Sequence, residues 1–324
     1  MSSSWKVANQ EYALRIISFL PSATEIVFAL GLGDSLLGVT HECDYPAGAR
    51  LKPRIVNSFI ETAGLTSDEI DLAVKERYQS GQPLYEIDAK VLSEAEPELA
   101  ITQGLCDVCA IPSEQVNAAL NSLNPVPHAI SLDPHSLDDM LVDIQRIGEA
   151  AGVEEEACNF TNALVARRDA VIGRAGFADH KPRVVCLEWL DPLLVAGHWV
   201  PEMVSLAGGE DCLGKAGEPS FKIEWADVIE SDPDFILAMP CGFDVKRAIP
   251  EIQQLTDRPG WNETRAAIEE NLFILDGGSY FSRSGPRLID GLEMIAEILH
   301  PDFFSGLIPQ RGAFHVSGEL FRVS

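Results

Sequence analysis

Basic residues are scarce in this sequence: 24 lysines and arginines stand against 50 aspartates and glutamates, a formal net charge of −26. No basic run offsets that deficit, so a nucleic-acid backbone would be repelled and a general nucleic-acid binder is excluded. Long apolar runs are missing as well. None approaches the roughly 18–20 residues that cross a bilayer, which excludes membrane insertion by such a helix. The first nine residues hold one lysine, no apolar h-region and no small-residue cleavage site. Cysteine is present seven times, an odd count that suits reduced thiols better than a disulfide framework. Together these two features predict a cytoplasmic protein, or a periplasmic one if the start is truncated. What remains is an ordinary globular balance, 46% hydrophobic and 23% charged, in 324 residues that can hold two domains.

The chain repeats itself. Arg15-Ile16-Ile17-Ser18-Phe19-Leu20 is a β-branched run that meets Pro21, and an apolar helical pattern follows and closes at Gly31 and Gly33. Arg183-Val184-Val185-Cys186-Leu187 does the same, with Pro201 opening a helix that closes at Gly208-Gly209. Each half adds a second block. Asp88-Ala89-Lys90-Val91-Leu92 leads through Glu96-Pro97-Glu98 into Leu99-Ala100-Ile101-Thr102, and Trp225-Ala226-Asp227-Val228-Ile229 leads through Asp232-Pro233-Asp234 into Phe235-Ile236-Leu237-Ala238. A loop holding glycine and cysteine follows both strands.

Between the halves, residues 136–173 carry apolar side chains at helical spacing and predict one long, rigid helix. The expected fold is therefore α/β, two pseudo-symmetric lobes with mostly parallel sheets. The N-terminal lobe is placed at residues 14–135, the connecting helix at 136–173 and the C-terminal lobe at 181–305, with terminal extensions at 1–13 and 306–324. Ligands of parallel sheets sit beyond the carboxyl ends of the strands. Those ends are the loops near residues 18–25, 40–46, 103–111, 188–200, 240–244 and 279–287, which could line one interlobe cleft.

Several of these loops carry long motifs: Phe19-Leu20-Pro21-Ser22-Ala23-Thr24-Glu25, Thr40-His41-Glu42-Cys43-Asp44-Tyr45-Pro46, Gly104-Leu105-Cys106-Asp107-Val108-Cys109-Ala110, Glu188-Trp189-Leu190-Asp191-Pro192 and Pro240-Cys241-Gly242-Phe243-Asp244. The set resembles the cobalamin-binding branch of the periplasmic binding protein family that serves iron-siderophore, haem and cobalamin ABC importers, over residues 14–301. The resemblance implies two Rossmann-like lobes bridged by a single helix, and a corrinoid or similar metal chelate held non-covalently. It also implies that each lobe presents an acidic residue, here Glu25 and Glu202, to basic pockets of an ABC permease. Helix physics offers another role for this pair, since Ser22-x-x-Glu25 has the form of a capping box.

Three sets of side chains are candidates for the site. His41, Cys43, Cys106, Cys109 and Cys241 are thiol and imidazole ligands suited to zinc, an iron–sulfur cluster or the cobalt of a corrinoid. The other reading of these cysteines is as small buried hydrophobes. Trp189, His198, Trp199, Phe243, Tyr280 and Phe281 offer rigid aromatic area for a flat ligand, or else anchor their loops in the core. Asp44, Gln103, Glu188 and Arg283 are polar anchors, with Ser282 and Arg287 beside the last. An arginine here suits a ligand phosphate or carboxylate, or a salt bridge to the abundant acids. The function expected is non-catalytic binding of a cobalamin-like corrinoid or related small-molecule metal chelate, with no cofactor required. The alternative is a cytosolic metal- or thiol-redox-dependent enzyme using the Cys/His cluster.

Overall fold

The β-branched run at Ile16 forms the central strand of a six-stranded sheet in the computed structural model, which describes residues 14–104 and 111–316. Its strands are β1 (Ile16–Ser18), β2 (Leu36–Thr40), β3 (Arg54–Ser58), β4 (Tyr85–Ile87), β5 (Leu99–Gln103) and β6 (His128–Leu132), in the order β4-β3-β2-β1-β5-β6. All neighbours are parallel except β3 and β4. Helices α1 (Pro21–Ala29), α2 (Ser67–Gln79), α3 (Ala89–Glu94) and α4 (Ser113–Asn121) lie in its connections. Ile17, Phe19, Ile55, Leu92, Val116 and Leu120 form the buried core beside it.

The second sheet is built from β7 (Arg183–Leu190), β8 (Leu193–Val195), β9 (Glu210–Asp211), β10 (Phe221–Lys222), β11 (Phe235–Ala238), β12 (Leu272–Leu275) and β13 (Ala313–His315). Its order is β10-β8-β7-β11-β12-β13, with β9 also beside β7. The β7–β11, β11–β12 and β7–β9 pairs are parallel, while β8, β10 and β13 run antiparallel to their neighbours. The helices of this part of the chain are α5 (Leu137–Ala151), which is divided between the two units described below, α6 (Glu154–Ala175), α7 (Val200–Leu206), α8 (Trp225–Ser231), the short α9 (Val245–Ala248), α10 (Gln253–Thr256), α11 (Arg265–Ile268) and α12 (Gly277–Tyr280), and α13 (Leu288–Leu299). Because β13 pairs with β12, the segment from residue 306 contributes a strand to the sheet beyond the expected lobe boundary.

Contacts divide the chain into two units that do not follow chain order throughout. One takes the chain up to Ser58, Tyr85–Leu132 and Ile147–Val153. The other takes Phe59–Leu84, Asp133–Arg146 and everything from Glu154. Thus α2, inserted between two strands of the first sheet, belongs to the second unit.

The repeat extends to the hydrogen bonds. In the acidic-Pro-acidic turns, Glu96 and Asp232 both adopt left-handed backbone, at φ 41° and 42°. The next acidic residue then closes the turn onto the first strand of its sheet: Glu98 accepts from the Arg15 backbone N–H at 3.1 Å, and Asp234 from that of Arg183 at 2.7 Å. In return the Glu98 and Asp234 N–H groups donate to the Arg15 and Arg183 carbonyls, each at 2.8 Å. One local device therefore aligns β5 with β1 and β11 with β7.

The single connecting helix expected over 136–173 is two helices. Gly152 takes φ 70°, and the Val153 N–H reaches back to the Gly148 carbonyl at 2.9 Å, so α5 ends in a left-handed cap. Three glutamates, 154–156, then open α6, where negative charge is favoured by the helix dipole. Along α6, Arg167 forks onto α13, with Nε 2.9 Å from Glu293 Oε1 and Nη2 2.6 Å from Oε2 and 2.5 Å from Asp290 Oδ1. These carboxylates hold the guanidinium still more firmly protonated than usual. Arg167→Met is expected to cost about 1–2 kcal/mol in urea unfolding, less than a buried pair because solvent screens it, and the cost should shrink in 1 M salt.

Candidate functional site

In the second unit β7, β11 and β12 are adjacent and parallel, so the chain leaves their carboxyl ends through neighbouring loops. Hydrogen bonds tie these loops into one set. The Met239 and Cys241 N–H groups donate to the Leu187 and Glu188 carbonyls at 2.8 and 3.0 Å, and Gly278 N–H donates to the Phe243 carbonyl at 3.1 Å. Gly277 is needed for that approach, since a Cβ there would lie 2.4 Å from the Pro240 carbonyl oxygen. The Trp199 indole N–H donates to the Phe281 carbonyl at 2.7 Å, and the Ser220 hydroxyl to Glu188 Oε2 at 2.7 Å.

Within this set the aromatic candidates divide by exposure. Trp199, Phe243 and Phe281 are 6%, 1% and 3% exposed, so in this conformation they anchor the loops and do not present faces to a ligand. Trp189 and Tyr280 are half-buried. Trp189 stands edge-on to Phe243 at 5.4 Å between centroids, and the Arg247 guanidinium covers the Phe243 ring at 3.8 Å. The Arg287 guanidinium lies 5.6 Å from the Tyr280 centroid. Glu188, Cys241 and Arg283 are also half-buried. Ser282, beside Arg283, has a buried hydroxyl with no hydrogen-bond partner in the structure.

His198 sits in left-handed backbone at φ 52°. Its N–H donates to the Glu218 carbonyl at 2.6 Å, and its own carbonyl accepts from Gly217 at 2.8 Å, which holds the strained residue in place. The ring lies 6.1 Å from that of His135 and 5.6 Å from Trp199. Burial keeps this imidazole below its ordinary pKa and favours the neutral ring; the neighbouring His135 adds to the effect and Asp133 opposes it. His135 was missed in the sequence, although Asp133-Pro134-His135 directly follows a strand end.

In the first unit His41, Cys43 and Asp44 follow β2, and Gln103 ends β5, half-buried. The His41 N–H donates to the Val56 carbonyl at 3.0 Å, and the ring lies 5.9 Å from Tyr85. Burial lowers its pKa against the pull of Glu42. Cys43 is 4% exposed, with Sγ 3.1 Å from the Thr24 hydroxyl and 3.2 Å from that of Thr40. It is a buried thiol among hydroxyls. Asp44 is exposed, and its backbone carbonyl accepts from Arg50 at 2.9 Å. Cys106 and Cys109 lie outside the described residues. Among the described residues no group of three or more His, Cys, Asp or Glu is placed to hold a metal ion, and the expected set of His41, Cys43, Cys106, Cys109 and Cys241 has two members outside them.

The paired glutamates are also placed differently. Helix α1 begins at Pro21 with Leu20 as its cap, so Ser22 and Glu25 do not form a capping box, and Glu25 is buried inside the helix's covered face. Glu202, half-buried in the first turn of α7, accepts the Leu137 N–H at 2.9 Å and so caps α5. Burial raises its pKa while that N–H opposes the shift.

Comparison with known proteins places this geometry. The chain matches the periplasmic binding protein family over residues 16–277. It is 24% identical over 310 residues to an uncharacterized ABC transporter substrate-binding lipoprotein, YvrC, of Bacillus subtilis, covering 94% of this chain and 85% of that protein. A vitamin B12-binding protein of Vibrio cholerae is 22% identical over 291 residues, 89% of each chain. The solved periplasmic heme-binding protein RhuT from Roseiflexus sp. RS-1, in apo form, shares the fold at a TM-score of 0.67 and 24% identity, over 89% of this chain and 98% of that one. These matches overturn the cytoplasmic expectation, because the family is one of periplasmic binding proteins and a lipoprotein is among the relatives. They also set aside the redox-enzyme alternative, since the family binds and does not catalyse. The chain belongs to the periplasmic binding protein family.

Proposed function

We propose that this protein binds a cobalamin-like corrinoid, or a closely related flat metal chelate, through the carboxyl-end loops of its second sheet and delivers it to an ABC permease. The observation that carries this reading is the second unit's loop set, where half-buried Trp189 and Tyr280 stand on a tightly bonded support of Phe243, Trp199 and Phe281. A rigid aromatic edge suits a broad, weakly polar macrocycle, because little side-chain entropy is lost on binding. Arg283, in the same loop set, suits a phosphate or carboxylate on the ligand's periphery. The relatives that bind vitamin B12 and heme support the same class of ligand. His198 adds a specific point in favour of haem as the second reading, since a neutral imidazole is able to ligate iron.

Titration of the purified protein with cyanocobalamin, cobinamide and hemin, followed by tryptophan quenching and visible absorbance, tests the reading. Saturable one-to-one binding of a corrinoid is expected. Trp189→Ala should weaken it by about 1–2 kcal/mol, roughly tenfold, with the unfolding midpoint little changed. If none of the three chelates binds saturably, the ligand class is wrong. Saturable hemin binding alone, lost in His198→Ala, would decide for the second reading.

A further inference from the structure

Residues 59–84 leave the first sheet after β3 and return to it at β4, yet they belong to the second unit. Three anchors hold this segment. Glu251, 5% exposed in the turn after α9, accepts the Ser67 backbone N–H at 3.2 Å and the Ser67 hydroxyl at 2.5 Å. Ile70 packs against the second unit's core. Arg247 Nη2 donates to the Thr62 carbonyl at 2.7 Å. The outer side of α2 leaves Leu72 and Tyr78 exposed, and Gly64 and Gly81 flank the helix in left-handed backbone with open space around them.

Arg247 is shared between two structures. Its fork holds the segment's carbonyl, and its plane covers Phe243, which supports Trp189 edge-on and lies two residues from Cys241. We infer that residues 59–84 form a docking strap, and that Glu251 and Arg247 are positioning residues which transmit its docking to the aromatic loop at 241–243. This deepens the ligand-binding reading and rests on it for its functional consequence. The buried Glu251 carboxylate makes the strap two-state. Docked, it has the donors of Ser67; lifted, it keeps the weaker Gln254 amide at 3.4 Å. Linkage then requires reciprocity: a ligand that prefers the ordered loop tightens the strap by the factor with which the strap tightens the ligand.

Ser67→Pro tests this without touching the loop. Ser67 is the first residue of α2, where proline is tolerated, and Thr66 before it is already extended at φ −76° and ψ 167°. The change removes both donors to Glu251. Two readouts on the ligand-free protein are peptide-resolved hydrogen exchange and the rate of Cys241 alkylation by iodoacetamide, Cys241 being a free, half-buried thiol. Exchange across α2 and Cys241 alkylation should rise together by roughly tenfold or more, with exchange in α6 unchanged. Arg247→Met, which leaves the Ser67–Glu251 bonds in place, should give the same paired rise. Faster exchange in α2 with unchanged Cys241 reactivity would reduce the strap to a structural attachment and overturn the inference, as would no change in either. With cyanocobalamin or hemin, whichever the unaltered protein binds, Ser67→Pro should lose affinity, by no more than the factor by which saturating ligand slows α2 exchange. If neither probe binds, the functional reading falls while the alkylation result still decides the strap.

Discussion

Gly277→Ala is expected to destabilise the second unit by about 3 kcal/mol and to disorder the loops that carry Trp189, Cys241 and Tyr280. A Cβ on residue 277 would lie 2.4 Å from the Pro240 carbonyl oxygen, 2.6 Å from that of Met239 and 2.8 Å from the Met239 carbonyl carbon. All three neighbours are backbone, so no side chain can rotate away. The two segments must separate, and the Gly278 N–H to Phe243 carbonyl bond that joins them goes with the movement. Calorimetry should show a transition lowered by several degrees, and ligand binding should weaken even where the sheet stays folded. Gly242→Ala is the matched comparison. Gly242 needs its left-handed φ of 75° but has no atom within 4 Å of a built Cβ, so only the backbone penalty of about 1 kcal/mol applies. Equal effects of the two changes would show that close approach at Gly277 is unimportant.

The contrast between those glycines also marks what a sequence discloses. The repeat was readable because both halves solve the same local problem: an arginine opens a strand, and an acidic-Pro-acidic turn returns to it. Those instructions are written in contiguous residues, and Glu96 and Asp232 follow them to within one degree of φ. The carboxyl-end loops were legible for the same reason, since parallel topology alone brings Glu188, Cys241 and Phe281 to one end of the second sheet. The division of labour among the aromatics was not. Trp199, Phe243 and Phe281 carry the composition of a binding surface but are covered by packing partners distant in sequence, such as Arg247 over Phe243. The surroundings of Cys43 were hidden likewise, because its hydroxyl neighbours Thr24 and Thr40 come from different elements. The strap was hidden more completely. Nothing near Ser67 announces a bond to Glu251, 184 positions away. At Gly152 the information was local, but helical periodicity on both sides masked a terminator that left-handed glycine makes decisive.

Asp211 should make the stability of the second unit fall as pH rises, against the usual behaviour of a carboxylate. Its Oδ1 accepts the Leu213 and Gly214 N–H groups at 3.1 and 2.7 Å, while Oδ2 is buried without a partner. Burial outweighs those two donors and lifts the pKa from 3.8 to about 6. Below the unfolded value the group is protonated in both states and imposes no penalty. As pH rises through about 6, the folded protein is the state that resists ionisation, so stability is lost over that interval. That difference corresponds to about 3 kcal/mol. Asp211→Asn keeps an Oδ1 for both N–H groups and cannot ionise. Its stability relative to the unaltered protein should therefore improve by about 3 kcal/mol between pH 4 and pH 8, measured as the difference of two urea unfolding curves at each pH. His41, His198 and His300 act in the opposite sense, since their pKa values are lowered by burial and their contribution is lost as pH falls. They are present in both proteins and cancel in the difference. A difference that stays flat across this range would mean that Asp211 ionises freely in the folded state, and that water reaches the Oδ2 atom the structure shows enclosed beside Gly214.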